Sequence, residues 1–391
     1  MIYYIIPPIT YKLYSCLDLA FTETPHPLFS VSLSRFLYDI KEKISTREKE
    51  WDIYKKYTNS FEFIHTLIQN KKRSVSKYKP LSRSYFKMVE LVHELHLLPE
   101  TAEPIQTFHL AEGPGGFIEA VVNLRKNPDD TYIGMTILGD VNDPNIPGWK
   151  KSEHFLYTNR NVFIERGADG TGDILSLENL DHCRKMYGSS MDFITADGGF
   201  DFSTDFNKQE IQISRLLFSQ MVFALTMQRK NGHFVLKIFD SFHQPTIDIL
   251  AILSSFYKTV YMTKPHTSRA GNSEKYVVCK DFLYDSSDSF FMSFRRIFER
   301  MNDPLNVDDE HIGGFLNIPV PLYFTVKIEE YNSIFGQQQI ENIHSTLSLI
   351  DKSVKSDRID MMVKANIAKC TNWCIRYNVP YNVFSTNNVF G

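Results

Sequence analysis

Four features of this 391-residue chain have residue types and spacings suited to chemistry: a glycine-rich turn, two aspartates and a lysine in an apolar setting. The turn is Ala111-Glu112-Gly113-Pro114-Gly115-Gly116-Phe117, between a short apolar run and a helical one. Glycines there let backbone N–H groups approach a ligand closely, and a helix N-terminus favours negative charge. The spacing is neither the dinucleotide G-x-G-x-x-G nor a P-loop, because no Gly-Lys-Ser/Thr follows. A tight turn that needs glycine only for packing is the competing reading. Asp173, in Gly170-Thr-Gly-Asp-Ile174, precedes a helical segment and suits either a ligand amine or a plain N-cap. Asp197 ends the apolar run Asp192–Ala196, where it would stand at a strand's carboxyl end or cap the turn at Gly198-Gly199. Lys237 lies between Leu236 and Ile238, where a free ammonium is costly to bury.

These residues act together only if the elements carrying them end at one edge. Between residues 81 and 283 strand-like and helix-like segments alternate. Ile105–Leu110, Tyr132–Ile137, Val162–Glu165, Asp192–Ala196, His233–Phe239, Thr259–Met262 and Lys275–Cys279 read as strands. Phe117–Arg125 and Pro245–Phe256 read as helices, and Asn207–Lys230 reads as one long helix capped near Gly232. Such alternation predicts an α/β fold with a mainly parallel sheet covered on both faces. Ligands then bind outside the carboxyl ends of the strands, where the glycine turn and Asp197 fall. Residues 1–80 form a mostly helical extension, with helical stretches over Tyr38–Tyr57, and 284–391 a helix-rich accessory region.

Bulk composition narrows the function classes. A hydrophobic content of 43% with 14% aromatic residues fits an ordered protein. The net charge of −3 rules out a global positive field for a polyanion, so a nucleic-acid contact needs a local patch. The run Lys71-Lys72-Arg73…Lys77…Lys79 is one such patch, or simply a solvated helix end. Cys16, Cys183, Cys279, Cys370 and Cys374 are too scattered for a disulfide framework and do not suit a zinc site, so reduced thiols and an intracellular setting follow. Met1–Ile9 is apolar but broken by Pro7 and Pro8, and reads as a buried edge segment rather than a signal peptide. No run approaches the roughly 20 apolar residues that span a bilayer.

Three ordered runs carry a resemblance: Asp192–Gly199 (DFITADGG), Gly232–Asp240 (GHFVLKIFD) and Lys264–Lys280 (KPHTSRAGNSEKYVVCK). With Ser82-Arg-Ser-Tyr-Phe-Lys-Met88 upstream, they resemble the FtsJ-type RNA ribose 2′-O-methyltransferases. Within these they are most similar to the cap-specific mRNA enzymes of eukaryotes and large DNA viruses. A weaker echo continues in Lys369-Cys-Thr-Asn-Trp-Cys374. The resemblance implies a Rossmann-like class I methyltransferase fold, a mainly parallel seven-stranded sheet with its last strand antiparallel. It implies transfer of a methyl group from S-adenosylmethionine, leaving S-adenosylhomocysteine, to a ribose 2′-hydroxyl of the first transcribed nucleotide of capped mRNA. An rRNA or tRNA enzyme of the same family, or an idle RNA-binding subunit of a capping complex, are the alternatives. Capped mRNA or other RNA would be the partner, alongside other capping or transcription proteins, in a nucleus or a cytoplasmic viral factory; no metal and no membrane are implied.

Carried over by position, the catalytic set is Lys87, Asp197, Lys237 and Glu274. Lys237 would be the base, with the Lys87 cation nearby disfavouring its charged form. Asp197 would hold base and hydroxyl in line, and Glu274 would orient either lysine. The donor would lie against Glu112, Gly113, Pro114, Gly115, Gly116 and Phe117, with Asp173, Ile174 and Asp197. Many relatives have an acidic residue at the end of the first strand; here His109 stands there, and Glu112 is the substitute. Lys264, Ser268, Arg269 and Asn272 would face RNA, with His266 adding a phosphate contact. Phe200, Phe202 and Phe206 suit base stacking or core packing, and Trp149 suits a cap guanine or burial.

Overall fold

The structure is a computed structural model and describes residues 1–69, 71–138, 148–199, 207–303, 311–351 and 356–384. The N-terminal region forms β1 (Tyr3–Ile6), β2 (Leu17–Thr22), α1 (Val31–Ser45) and α2 (Glu48–Thr58). Next come α3 (Ser84–Leu95), β3 (Gln106–Leu110), α4 (Gly116–Arg125), β4 (Thr131–Met135) and α5 (Glu153–Thr158). These are followed by β5 (Val162–Glu165), α6 (Leu177–Tyr187), β6 (Met191–Ala196), α7 (Gln209–Gln212) and α8 (Ser214–Met227). Then come β7 (Gln228–Ile238), α9 (Gln244–Phe256), β8 (Tyr257–Thr263) and β9 (Lys275–Phe282). The chain closes with α10 (Phe291–Met301), β10 (His311–Leu316), α11 (Leu322–Asp351) and α12 (Ser356–Arg376).

Among the described residues the main sheet has eight strands, in the order β1-β8-β9-β7-β6-β3-β4-β5. From β5 to β7 every pairing is parallel, and β9 runs antiparallel between β7 and β8. The parallel sheet with an antiparallel last strand is therefore present, and β1 adds an eighth strand on the β8 edge. Its tetrapeptide Tyr3-Tyr4-Ile5-Ile6 suits a pleated edge, with Ile6 buried and Ile5 exposed. The N-terminal region is thus less helical than expected, since β2 also forms a two-stranded ribbon with β10.

Side chains alternate across the central strands, and each set feeds a separate core. Ile194 and Leu236 pack with α8, α9 and α10, whereas Phe193, Val235 and Tyr276 pack with α3 and α4. Lys237 shares the parity of Val235 and therefore faces the α3 side, directly opposite Tyr276 on β9.

The long helix expected over Asn207–Lys230 is not continuous. It divides into α7 and α8, and the chain switches to strand at Gln228 without a loop. The Gln228 side-chain amide donates to the Met191 carbonyl at 2.8 Å, which ties this end of β7 to β6. Gly232 is consequently a strand residue and not a helix cap. A Cβ there would lie 2.2 Å from Gln228 Nε2 and 2.8 Å from the Asp192 carbonyl oxygen, so close backbone approach requires glycine. Among the described residues no helix is long and apolar enough to cross a membrane.

Candidate active site

At the carboxyl end of β3 the chain makes the glycine turn and enters α4. Glu112 is buried, and its Oε1 accepts from the backbone N–H of Phe117 at 2.7 Å and of Ile118 at 2.9 Å. Burial still pushes its carboxyl up to about 8, because these two amides and the dipole of α4 do not offset the lost water. Gly115 sits at φ +108°, a conformation costly for any other residue. A Cβ on Gly113 would come within 2.9 Å of the Gly148 carbonyl oxygen and 3.1 Å of Thr136 Cγ2. The backbone is thus packed as tightly as glycine permits.

His109 is fully buried, with Nδ1 2.8 Å from Thr195 Oγ1 and Nε2 2.9 Å from Thr107 Oγ1. Burial drives its pKa down to about 3, so it is a neutral core residue between two threonines. The Asp173 carboxylate accepts from the Leu175 N–H at 2.9 Å, while Ser176 caps α6, and Ile174 belongs to the core. Trp149 is buried against Gly134 and beside Gly115, where no room remains for a side chain on either glycine. Its Nε1 has no hydrogen-bond partner among the described residues. Burial is therefore the reading of Trp149 that holds. Phe200, Phe202 and Phe206 lie outside the described residues.

Two strands away the edge changes character, because charged side chains converge there from four elements. Lys87, on α3, is buried and donates to Glu274 Oε2 at 2.7 Å and to the Tyr276 hydroxyl at 3.4 Å. The Tyr276 hydroxyl in turn donates to Asp197 Oδ1 at 3.0 Å. Lys237 Nζ lies 3.3 Å from the same Oδ1 and donates to the Asp197 backbone carbonyl at 2.6 Å. Lys87, Asp197, Lys237 and Glu274 thus form one connected network, with Tyr276 bridging its two ion pairs.

Burial alone would raise the Glu274 carboxyl. Lys87, Lys237 and Lys264 around it outweigh that and hold it well below the usual carboxylate range. Glu274 also accepts from Ser268 Oγ at 2.6 Å. Lys237 Nζ packs closely on the Gly199 backbone: a Cβ there would stand only 3.3 Å from it.

The loop from Lys264 to Glu274 carries the residues expected to face RNA, and the structure engages most of them internally. Lys264 Nζ donates at 2.7 Å to the Asn272 carbonyl, to Asn272 Oδ1 and to the Glu274 carbonyl. Burial lowers its pKa to about 7. Arg269 makes a two-pronged pair with Glu62, at 3.0 and 2.7 Å, and Ser268 is buried on Glu274. Asn272 is exposed.

Sequence reasoning missed Tyr276, Glu62, Glu90 and the buried trio Lys41–Asp240–Lys275. Asp240 lies 3.1 Å from Lys41 and 3.3 Å from Lys275, and the two cations overcome burial to hold it at about 2. Tyr276 could have been found from parity, since it lies two residues beyond Glu274, just inside β9. Among the described residues no group of His, Cys, Asp and Glu could hold a metal ion, and burial pushes the Cys370 and Cys374 thiols up to about 12.

A glycine turn after the first parallel strand and an antiparallel strand between the last two parallel ones define a Rossmann-like methyltransferase fold. The model of the FtsJ-like methyltransferase family matches residues 80–282, over half of the chain, and the chain belongs to that family. Cap-specific mRNA (nucleoside-2′-O-)-methyltransferase 2 of Danio rerio is 28% identical over 66% of this chain and 35% of its own length. The enzyme of the same name from Pongo abelii is 26% identical over 84% of this chain and 42% of its own. Cap-specific mRNA (nucleoside-2′-O-)-methyltransferase 1 of Homo sapiens is 34% identical over 56% of this chain and 26% of its own. The chain spans well under half the length of these curated relatives.

Proposed function

We propose that this protein transfers a methyl group from S-adenosylmethionine to a ribose 2′-hydroxyl of RNA, at the first transcribed nucleotide of capped mRNA. The observation that carries the reading is the single network of Lys87, Asp197, Lys237 and Glu274 on the same sheet edge as the glycine turn. A ribose hydroxyl is a poor nucleophile, so the site must align it and remove its proton. Lys237 is the base: its amine takes the hydroxyl proton, and Asp197 holds that amine in place. Lys87, paired with Glu274, leaves a positive group beside the oxygen as it loses its proton.

The glycine side fits the donor. A backbone cradle with a buried carboxyl pushed up to about 8 suits a cationic ligand, whose charge restores the carboxylate. Glu112 to Phe117, with Asp173, Ile174 and Asp197, would hold it. The donor supplies a methyl group already activated on a sulfonium. A cavity of about 450 Å³ lined by Trp51, Phe239, Lys41, Arg269 and Asn272 offers room for a neighbouring nucleotide, and the Phe239 ring centroid lies 5.8 Å from Lys237 Nζ.

Cap specificity is supported by the names of the relatives. The test is incubation of the full chain with labelled donor and matched RNAs, capped and uncapped. Label on the capped RNA alone is expected, as a 2′-O-methyl at the first nucleotide; equal labelling of both removes cap specificity.

A further inference from the structure

Arg83, Lys87 and Glu90 are spaced four and three residues apart, which places them on one face at the start of α3. All three reach the same loop. Arg83 donates to the Thr267 carbonyl at 3.1 Å, near the start of the loop, and Lys87 pairs with Glu274 at its end. Glu90 has no exposed surface and accepts from the His266 N–H at 2.8 Å and from the Thr267 N–H and hydroxyl, each at 3.2 Å. Its Oε2 also accepts from Trp373 Nε1 on α12 at 3.3 Å. A buried carboxylate is retained only where its lone pairs are satisfied, and here loop amides and the C-terminal helix satisfy them.

From this we infer that Glu90 is a positioning residue for methyl transfer: it fixes the start of the Lys264–Glu274 loop so that Glu274 meets Lys87, and Trp373 completes its hold. The inference rests on the proposed role of Lys87 and Glu274. It gives Lys369–Cys374 a task, since that motif delivers the indole that anchors Glu90 from outside the residues matched by the family. Lys264 supports the same loop from within, through its three bonds to residues 272 and 274. Misplacing catalytic groups by about 1 Å costs about a hundredfold in rate, so a clamp of this kind has kinetic weight.

The experiment compares the full chain with its Glu90→Gln and Trp373→Phe variants in three measurements. These are hydrogen–deuterium exchange without ligands, S-adenosylhomocysteine affinity, and the methyl-transfer rate on capped RNA. Glu90→Gln should speed exchange at residues 266–267 and 272–274 and leave β3 and α4 unchanged. It should lower kcat about ten- to a hundredfold with product affinity within about twofold of wild type. Trp373→Phe keeps an aromatic side chain but loses the N–H donor with part of the indole, so the same pattern should appear at about threefold. Faster loop exchange with an unchanged rate overturns the inference, and so does unchanged exchange in both variants. A rate that falls only in step with product affinity overturns it too. Wild-type protein that methylates no RNA defeats the proposed function instead, and the exchange data then judge the clamp alone.

Discussion

On the β3–β4 side, the sheet edge is made of backbone: glycines packed to contact, a helix N-terminus, and one carboxyl buried beneath them. On the β7–β9 side it is made of charged side chains brought from α3, β6, β7 and the loop before β9. The first side recognises shape and tolerates few added atoms. The second holds several charges out of water, and each is retained by a specific partner. A site that must bind a small cationic donor and also move a proton needs both kinds of construction.

Breaking the charged side should have the larger consequences. Lys237→Ala is expected to lower methyl transfer by about 10²–10⁴-fold, the usual range for loss of a positioned base. S-adenosylhomocysteine affinity, measured by calorimetry, should hold; an unchanged rate would remove Lys237 as the base. Asp240→Ala strands Lys41 and Lys275 in the interior and should cost about 3–5 kcal/mol in urea unfolding. On the backbone side, Gly113→Val drives a side chain into Gly148 and Thr136 and should cost about 1–3 kcal/mol, with weaker product binding.

The smallest effect is pH-dependent. The Glu112 carboxyl is raised, so without ligand the folded state binds more protons than the unfolded state between about 4.5 and 8. Stability therefore declines as pH rises through that window. Glu112→Gln should match wild type in Tm near pH 4 and exceed it increasingly toward pH 9. A Tm difference that is flat with pH would show that Glu112 is not held in its neutral form.

The two sides also differed in how far they were legible in the sequence. Lys237 stands out because lysine is rare between Leu236 and Ile238, and its strand is present, though it starts at Gln228 and not at His233. The glycine turn was legible as a backbone device, but the fate of His109 was not, since Thr107 and Thr195 meet it only after β3 and β6 pair. Lys87 joins the catalytic set only by resemblance, because what buries it is a loop about 190 residues further along the chain. Arg269 reads as an RNA-facing group for the same reason: its partner Glu62 is 207 residues away in the sequence. Helical periodicity carried the α8 reading past Met227, since residues 228–230 bear no breaker and only pairing with Met191 makes them strand.

The eighth strand has a consequence for how the chain is made. Residues 3–6 leave the ribosome well before their partners, residues 260–263, are made. At about 5–20 residues per second, β1 waits on the order of 13–50 s before β8 exists. During that interval an apolar segment with Ile2, Tyr3 and Ile5 at its surface has no neighbour to pair with. Vectorial synthesis therefore makes this short strand dock late, and β2 later still, since its partner β10 lies at residues 311–316. A nascent-chain probe on residues 1–9 should remain accessible until about residue 300 has been added, once the exit tunnel has released β8.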